Sequence, residues 1–336
     1  MKREKIQLAH GGGGRLSHEL IEKTFLPIIG NPILDVLNDQ GVFEVNGSKF
    51  AFTTDSYVIT PIFFPGGDIG ELAVYGTVND LAMGGARPLY LSLGLIIEEG
   101  FPMEDLKKIL VSVNRAAETS GIQIITGDTK VVGKGGADGI YVNTAGVGVI
   151  EGRLNLSGKN LKVGDKVIVS GYIGDHGIAI MCAREGLIFE NPVQSDTAPL
   201  HKLVEGILNT GAEVHAMRDP TRGGVASTLN EFAEKSDVGI LIEENHLPVR
   251  KEVMEACEIL GLDPLYVANE GKLVAVVERS GADAVIQAMR ENPFGAMARI
   301  IGEVTDSHRG KVILKTKIGT NRVVDMFTGE QLPRIC

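Results

Sequence analysis

Five acidic residues, Asp55, Asp80, Asp128, Asp219 and Glu270, stand beside glycine-rich turns at widely separated points of the 336-residue chain. Oxygen ligands from separate loops are what Mg²⁺ uses when it bridges protein carboxylates and nucleotide phosphates. With Lys130 close behind Asp128, the set suits phosphoryl transfer. Each acid alone is a weak signal, because an Asp at a strand end is more often a turn former. The second reactive group is Cys336, the last residue given. An exposed thiol on a tail can carry an acyl group from one site to another. The plain alternative is a frayed end whose residues matter little. Prenylation is excluded, since it needs three residues after the cysteine.

The elements that must position these groups follow from the pattern. His10-Gly11-Gly12-Gly13-Gly14-Arg15 lets backbone N–H groups, those of Gly12 and Gly13 among them, turn towards an anion. Ser17 is placed to cap a helix starting near His18. A flexible arm explains the glycines equally well, and no Gly-Lys-Ser/Thr follows to make a P-loop. Strands over 42–45 and 49–53 flank Asn46-Gly47, a hairpin turn signal, and the second runs into Thr53-Thr54-Asp55-Ser56. A helix from Asp68 carries Asn79-Asp80 inside an apolar, small-residue stretch. An unpaired carboxylate there is costly, so Asp80 wants a partner such as a cation. A strand over 89–97, an amphipathic helix through Leu106, Ile109, Leu110, Val113 and Ala117, and a short strand over 122–125 come next. That strand is expected to end in the turn Thr126-Gly127-Asp128-Thr129-Lys130.

After a strand over 141–150 and a linker over 151–163, the second half alternates again. Strands are expected at 166–170, 239–243, 273–278 and 298–304, with helices at 178–185, 198–210, 251–260 and 282–290. Asp219 opens Asp219-Pro220-Thr221-Arg222-Gly223-Gly224 before a further helix, and Glu270 lies in Asn269-Glu270-Gly271-Lys272. Two short strands at 312–315 and 322–326 lead to the tail. Elements mix without one strict βαβ repeat, so the fold class is α/β in the α+β sense, with two domains rather than a doubly wound sheet. No GxGxxG opens a helix after a strand, which argues against a dinucleotide site.

Lys plus Arg number 33 against 43 Asp plus Glu, giving a net charge of −10 and little attraction for nucleic acid or anionic membrane. Trp is absent, aromatics reach 5%, and no apolar run is long enough to span a bilayer. The first residues do not read as a secretion signal. Cys182, Cys257 and Cys336 form no CxxC pair and no disulfide framework, so a cytoplasmic location is expected. Cys182 and Cys257 fall in expected helices and are read as core.

Thr54-Asp55, the run from Val78-Asn79-Asp80 to Ala86-Arg87-Pro88, Gly127-Asp128-Thr129-Lys130 and Asp219-Pro220-Thr221-Arg222-Gly223-Gly224 together resemble the aminoimidazole ribonucleotide synthetase (PurM-like) ATP-binding superfamily. With His10 and its four glycines, and with Pro333-Arg334-Ile335-Cys336, the whole chain is similar to the carbamoyl dehydratases of hydrogenase maturation. The resemblance implies an N-terminal ATP-binding and dimerisation domain over 1–155, a C-terminal domain over 156–305, and short strands with a mobile tail over 306–336. It implies a homodimer whose first domains form a β-barrel, with ATP near the interface. Cys336 would receive a carbamoyl group from the carbamoyltransferase HypF. ATP-driven dehydration would give an S-cyanide, and the cyanide would pass to iron on a HypC–HypD complex. By the same resemblance Asp55, Asp80, Asp128 and Asp219 hold Mg²⁺-ATP, and Asn79, Thr129, Gly12 and Gly13 assist. Glu270 is the base and Lys130 a charge stabiliser. Selenophosphate synthetase shares the fold, but a reactive cysteine near the N-terminus is its mark, and the first cysteine here is Cys182. A non-catalytic ATP-dependent scaffold would keep tail docking after Cys336→Ser.

Overall fold

The protein, seen as a computed structural model, is described over residues 5–152, 154–187 and 189–327. Cys336 and the rest of Pro333-Arg334-Ile335-Cys336 lie outside the described residues. The chain starts with an arm containing α1 (Arg15–Leu20) and α2 (Leu26–Ile29), joined by a π-helical turn. Next come β1 (Gly41–Val45), β2 (Ser48–Tyr57), the small pair β3 (Phe63–Phe64) and β4 (Gly67–Asp68), and α3 (Ile69–Met83). The first sheet is completed by β5 (Ala86–Glu98), β6 (Gln123–Val132) and β7 (Ile140–Ile150), with α4 (Met103–Ser120) between β5 and β6. Its order is β1-β2-β7-β5-β6, antiparallel except for the β5–β6 edge. Asn46 and Gly47 take positive φ angles of 51° and 80°, so the hairpin turn expected at Asn46-Gly47 forms.

The second half supplies β8 (Lys166–Val169), α5 (Asp175–Glu185), α6 (His201–Asn209), β9 (Val214–Arg218), α7 (Gly224–Ser236) and β10 (Gly239–Glu243). It continues with α8 (Lys251–Leu260), β11 (Val274–Val277), α9 (Ala282–Arg290), β12 (Arg299–Thr305), β13 (Val312–Lys315) and β14 (Asn321–Val324). The order is β14-β13-β10-β12-β8-β11-β9. The last two strands, read from sequence as a separate segment, are therefore the edge of this sheet. The arm, grouped with the first domain from sequence, packs on the second half. Its His18 meets Glu231 of α7, and Arg15 meets Asp325.

Between the two halves lies α3. Asp68 caps it, its Oδ1 accepting N–H bonds from Gly70 at 2.7 Å and Glu71 at 3.2 Å. Nearly all its side chains are buried, as expected of a helix that is apolar all round. Ile69, Leu72, Val74 and Val78 join the core under the first sheet, while Ala82 and Met83 join the core of α6, β8, β9 and β11. Each fully buried aliphatic side chain contributes about 1.5–3 kcal/mol, so α3 fixes its polar residues firmly.

Strand parity decides where the first half's candidate residues point. In β2, Ala51, Thr53 and Tyr57 are buried towards α3 while Phe52, Thr54 and Ser56 are exposed, which puts Asp55 on the α3 side. In β6, Asp128 and Lys130 pair with Gly94 and Ile96 of β5, and Ile96 is exposed, so both point to the opposite face. The turn expected at 126–130 does not form. Parallel pairing with β5 carries β6 through to Val132, and this ladder outweighs the local Gly-Asp signal.

At Gly76 of α3, an added Cβ would lie 2.2 Å from the hydroxyl oxygen of Tyr57. Gly76→Ala gains about 1 kcal/mol of helix propensity but forces apart α3 and β2. We expect a net loss of about 1–3 kcal/mol, read as a lower urea midpoint at unchanged slope.

Candidate active site

At the junction of the two halves, Asp39, Asp80 and Asp219 each present a carboxylate oxygen, all within 4.8 Å of one another. Asp39 precedes β1, Asp80 lies on the last turns of α3, and Asp219 follows β9. Thr53 Oγ1 lies 2.9 Å from Asp80 Oδ2 and 2.8 Å from the Asp39 carbonyl, so its single proton can go to either acceptor and β2 sits against both. Burial, with the negative charges of Asp219, Asp39 and Asp55, pushes Asp80 well above the carboxylate range. Burial and Asp39 push Asp219 up to about 8 against the pull of Arg218. Burial also raises Asp39, although Arg218 lies 2.9 Å away. One guanidinium cannot neutralise this group, because Arg218 also pairs with Glu231. Burial would raise Glu231, but Arg218 and His18 outweigh it and hold the carboxyl near 2.

Glu270 is buried beside the cluster. Burial, then Asp219, Asp196 and Asp55, push its carboxyl well above its usual range, and Arg222 opposes the shift. Its Oε1 finds no hydrogen-bond partner among the described residues, which is costly unless a bound group supplies one. The backbone around it is tightly held. Asp196 Oδ1 accepts the Glu270 N–H at 3.1 Å, and Lys272 pairs with Asp196 at 3.1 Å. Asn269 donates to the Pro220 carbonyl at 3.0 Å and accepts from the Gly174 N–H at 2.7 Å. The Glu270 segment is thereby locked to the Asp219 loop.

Of the residues singled out in the sequence, Asp80, Asp219, Glu270 and Asp55 come together. Asn79 has another task. Its amide donates to the carbonyls of Ala198 at 3.0 Å and Glu270 at 3.3 Å and accepts from Leu200 N–H at 2.7 Å. Fully engaged, it joins α3 to the second half. Asp128 and Lys130 do not join this cluster. They lie on the other sheet face, 3.9 Å from each other and largely exposed, and Thr129 is on the same edge strand. Asp55 and Gly127 share one row across β2, β7, β5 and β6, so three strand spacings, about 14 Å, separate the two sites.

The glycine run also differs from expectation. Gly13 N–H donates to Ser17 Oγ at 3.0 Å and Gly12 N–H to the Ala9 carbonyl at 3.3 Å, so both are turned onto the arm itself. Ser17 therefore sits inside α1 instead of capping it. The arm rests on the Asp219 loop, with Arg222 donating to the Gly11 carbonyl at 3.1 Å. Cys182 and Cys257 pack in one apolar cluster. Burial raises the first thiol and pushes the second up to about 12, which makes both inert.

Sequence reading missed Asp39, which stands in an irregular stretch with no motif around it. It also missed Glu231, although an acid between Leu229 and Phe232 of a buried helix is a detectable signal. Among the described residues, no helix is long and apolar enough to cross a membrane.

The geometry agrees with what comparison finds. The sequence model for AIR synthase related protein, N-terminal domain, matches residues 37–150, and that for the C-terminal domain matches residues 162–315. Carbamoyl dehydratase HypE of Rhizobium leguminosarum bv. viciae is 53% identical, covering 99% of this chain and 95% of that protein. The Escherichia coli K12 protein of the same name is 46% identical over 98% of this chain and 99% of its own length. A crystal structure of a HypE–HypF complex aligns with a TM-score of 0.87 at 50% identity, covering 92% of this chain and 99% of that one. A crystal structure of the hydrogenase maturation protein HypE in complex with ATP aligns with a TM-score of 0.84 at 46% identity, covering 99% and 100% of the two chains. Within the AIR synthase related proteins, this chain belongs to the carbamoyl dehydratase HypE family.

Proposed function

We propose that the protein dehydrates a carbamoyl group carried on the Cys336 thiol to an S-cyanide, at the expense of ATP, for the iron of a NiFe hydrogenase. One observation carries the reading: in a family member of this kind, Glu270 Oε1 has no hydrogen-bond partner among the described residues and is buried beside three crowded carboxylates. An oxygen-only donor set with excess negative charge fits a hard divalent cation. Asp80 and Asp219, with Asp39 and Asp55 beside them, would hold Mg²⁺, which would supply positive charge against the charge developing on the nucleotide phosphates.

The chemistry needs this arrangement because oxide is a poor leaving group. The carbamoyl oxygen attacks the γ-phosphorus, the bond from that phosphorus to the bridging oxygen breaks, and ADP leaves. Glu270 then takes a nitrogen proton, the carbon–oxygen bond breaks, and phosphate departs carrying the former amide oxygen. The product is S–C≡N, and the second nitrogen proton passes to solvent. Burial keeps the proton affinity of the Glu270 carboxyl high, and a cation that offset its acidic neighbours would let it ionise and so act as a base. Arg222, whose charge opposes the rise at Glu270, is the cation of this subunit suited to the departing phosphate. Gly12 and Gly13 serve through the arm's contact with the Asp219 loop, and Asn79 serves by holding Glu270.

Phe52, Tyr90 and Ile96 leave an exposed apolar face on the first sheet, the same face that carries Asp128 and Lys130. That surface suits the pairing of first domains in a homodimer, and Asp128, Thr129 and Lys130 then serve the neighbouring copy. HypF as carbamoyl donor, HypC–HypD as cyanide acceptor and a cytoplasmic location complete the reading.

The direct test is the mass of the C-terminal peptide after incubation with the carbamoyl donor system. Wild-type protein should gain a carbamoyl adduct on Cys336 that loses one water only when ATP is present. An adduct that persists with ATP, or that forms equally in Cys336→Ser, overturns the proposal.

Glu270→Gln should bind ATP normally and accumulate the carbamoyl form, with dehydration slowed about a hundredfold or more. Single-turnover mass measurements check this, and wild-type turnover removes Glu270 as the base.

Asp219→Asn should raise the thermal midpoint of nucleotide-free protein at pH 8 by about 3 °C and abolish the further rise given by Mg²⁺-ATP. An unfolded Asp titrates at 3.8 and the folded one at about 8, so the native state of the wild type loses stability as pH climbs between them. The advantage of the variant should therefore vanish near pH 4. A pH-independent difference would disprove the electrostatic account.

A further inference from the structure

Glu270 has to be aimed by its backbone, because its Oε1 meets no hydrogen-bond partner among the described residues. Two planar peptide groups flank its Cα, and fixing both fixes the direction in which the side chain leaves. The second group is held by Asn79, whose amide donates to the Glu270 carbonyl at 3.3 Å. The first is held by Asp196, whose Oδ1 accepts the Glu270 N–H at 3.1 Å.

Asp196 belongs to a strap, residues 195–198, that precedes α6 and touches both halves. Ser195 N–H donates at 2.8 Å to the Pro65 carbonyl, in the turn joining β3 to β4. A Cβ on the neighbouring Gly66 would lie 2.7 Å from the Ser195 nitrogen, so only glycine permits the approach. Ser195 Oγ stands 2.8 Å from His176 Nδ1 and 2.7 Å from Thr197 Oγ1, and Asn79 donates to the Ala198 carbonyl at 3.0 Å. The strap passes so close to the base segment that a Cβ on Gly271 would collide with the Asp196 carbonyl oxygen. Lys272 closes the contact, its Nζ 3.1 Å from Asp196 Oδ2 and 2.9 Å from the Gly271 carbonyl oxygen.

The side chains of Asp196 and Lys272 are only 4% and 11% exposed. A buried ion pair repays its desolvation poorly, and apolar residues of similar volume are often as stable or more so. Stability alone therefore does not account for this pair. What it provides is a carboxylate that cannot turn away from the Glu270 N–H, since its other oxygen faces Lys272. We infer that Asp196, clamped by Lys272, is a positioning residue for the dehydration, fixing one of the two peptide planes that aim the Glu270 carboxyl. The inference rests on the role of base proposed for Glu270.

The test separates the acceptor from the charge. The double variants Asp196→Asn/Lys272→Met and Asp196→Leu/Lys272→Met both lack the ion pair and keep similar volumes, but only the first leaves an acceptor for the Glu270 N–H. Where the Leu variant does not fold, Asp196→Ala/Lys272→Met removes the acceptor without adding bulk and takes its place. Single-turnover loss of water is followed on S-carbamoylated full-length protein over a range of Mg²⁺-ATP concentrations. At saturating ATP the Asn variant should stay within about threefold of wild type, and the Leu variant should fall about tenfold to a hundredfold below it with the half-saturating ATP concentration unchanged. Amide hydrogen exchange of the peptide containing Glu270, in nucleotide-free protein, should be faster in the Leu variant than in the Asn variant. Equal saturating rates or equal exchange in the two variants overturns the inference. So does a slower Leu variant with a matching loss of ATP affinity, which marks a damaged site.

In a Glu270→Gln background the Leu substitution should cost nothing further, because it acts through Glu270, and an undiminished further loss overturns the inference. Wild-type turnover by Glu270→Gln removes the base, and the positioning role with it. A slow Glu270→Gln, with Asn and Leu variants that turn over alike, defeats the positioning role alone.

Discussion

Three carboxylates held within 4.8 Å of one another, with Glu270 close by, set the terms for the rest of this structure. Left free, such groups move apart or bind water, and each is destabilised by its neighbours when ionised. They stay together because α3, the end of β9 and the segment before β1 are packed too tightly to part. Asp80 is fixed by a helix buried between two cores, and Asp219 by the Asn269 bonds to its loop. The stability forgone by ionised neighbours would be recovered on binding the divalent cation proposed for this cluster. This is the usual relation between an active site and its scaffold.

Compensation is selective. Arg218 bridges Asp39 and Glu231, and His18 of the arm completes that side. Glu231 is thereby held ionised while Asp80, Asp219 and Glu270 are all shifted upward. Asp39 is shifted upward as well, so the single guanidinium leaves all three clustered carboxylates under-compensated. Asn79 and Asn269 act as crossties. Both use their amides entirely on backbone groups, so they define where Glu270 and Asp219 stand without themselves reaching a ligand.

Much of this was legible in the sequence, for identifiable reasons. Asp80 inside a small, apolar run announces a buried charge, and burial is the quantity that composition reports best. The Asn46-Gly47 turn, α3 with its Asp68 cap and the strand-helix order follow from local chemistry. What escaped was set by pairing over distance. Asp128 looks like a turn residue until β5 supplies a parallel partner through Val132. Gly12 and Gly13 look like anion donors until Ala9 and Ser17 claim their N–H groups. Asp39 has no local pattern, since only the fold brings it to Arg218.

Strand parity has the widest reach. Asp55 and Asp128 stand on strands of one sheet, yet they face opposite sides of it and are three strands apart. No ion of ordinary size spans that separation through a packed sheet. For Asp128 or Lys130 to act on a group bound at Asp80, a second copy of the chain must bring them there. The exposed side chains beside them, Phe52, Tyr90 and Ile96, are of the kind that association covers. On the proposed reading, a catalytic demand and a hydrophobic one converge on the same face, and losing the pairing would then cost both stability and chemistry.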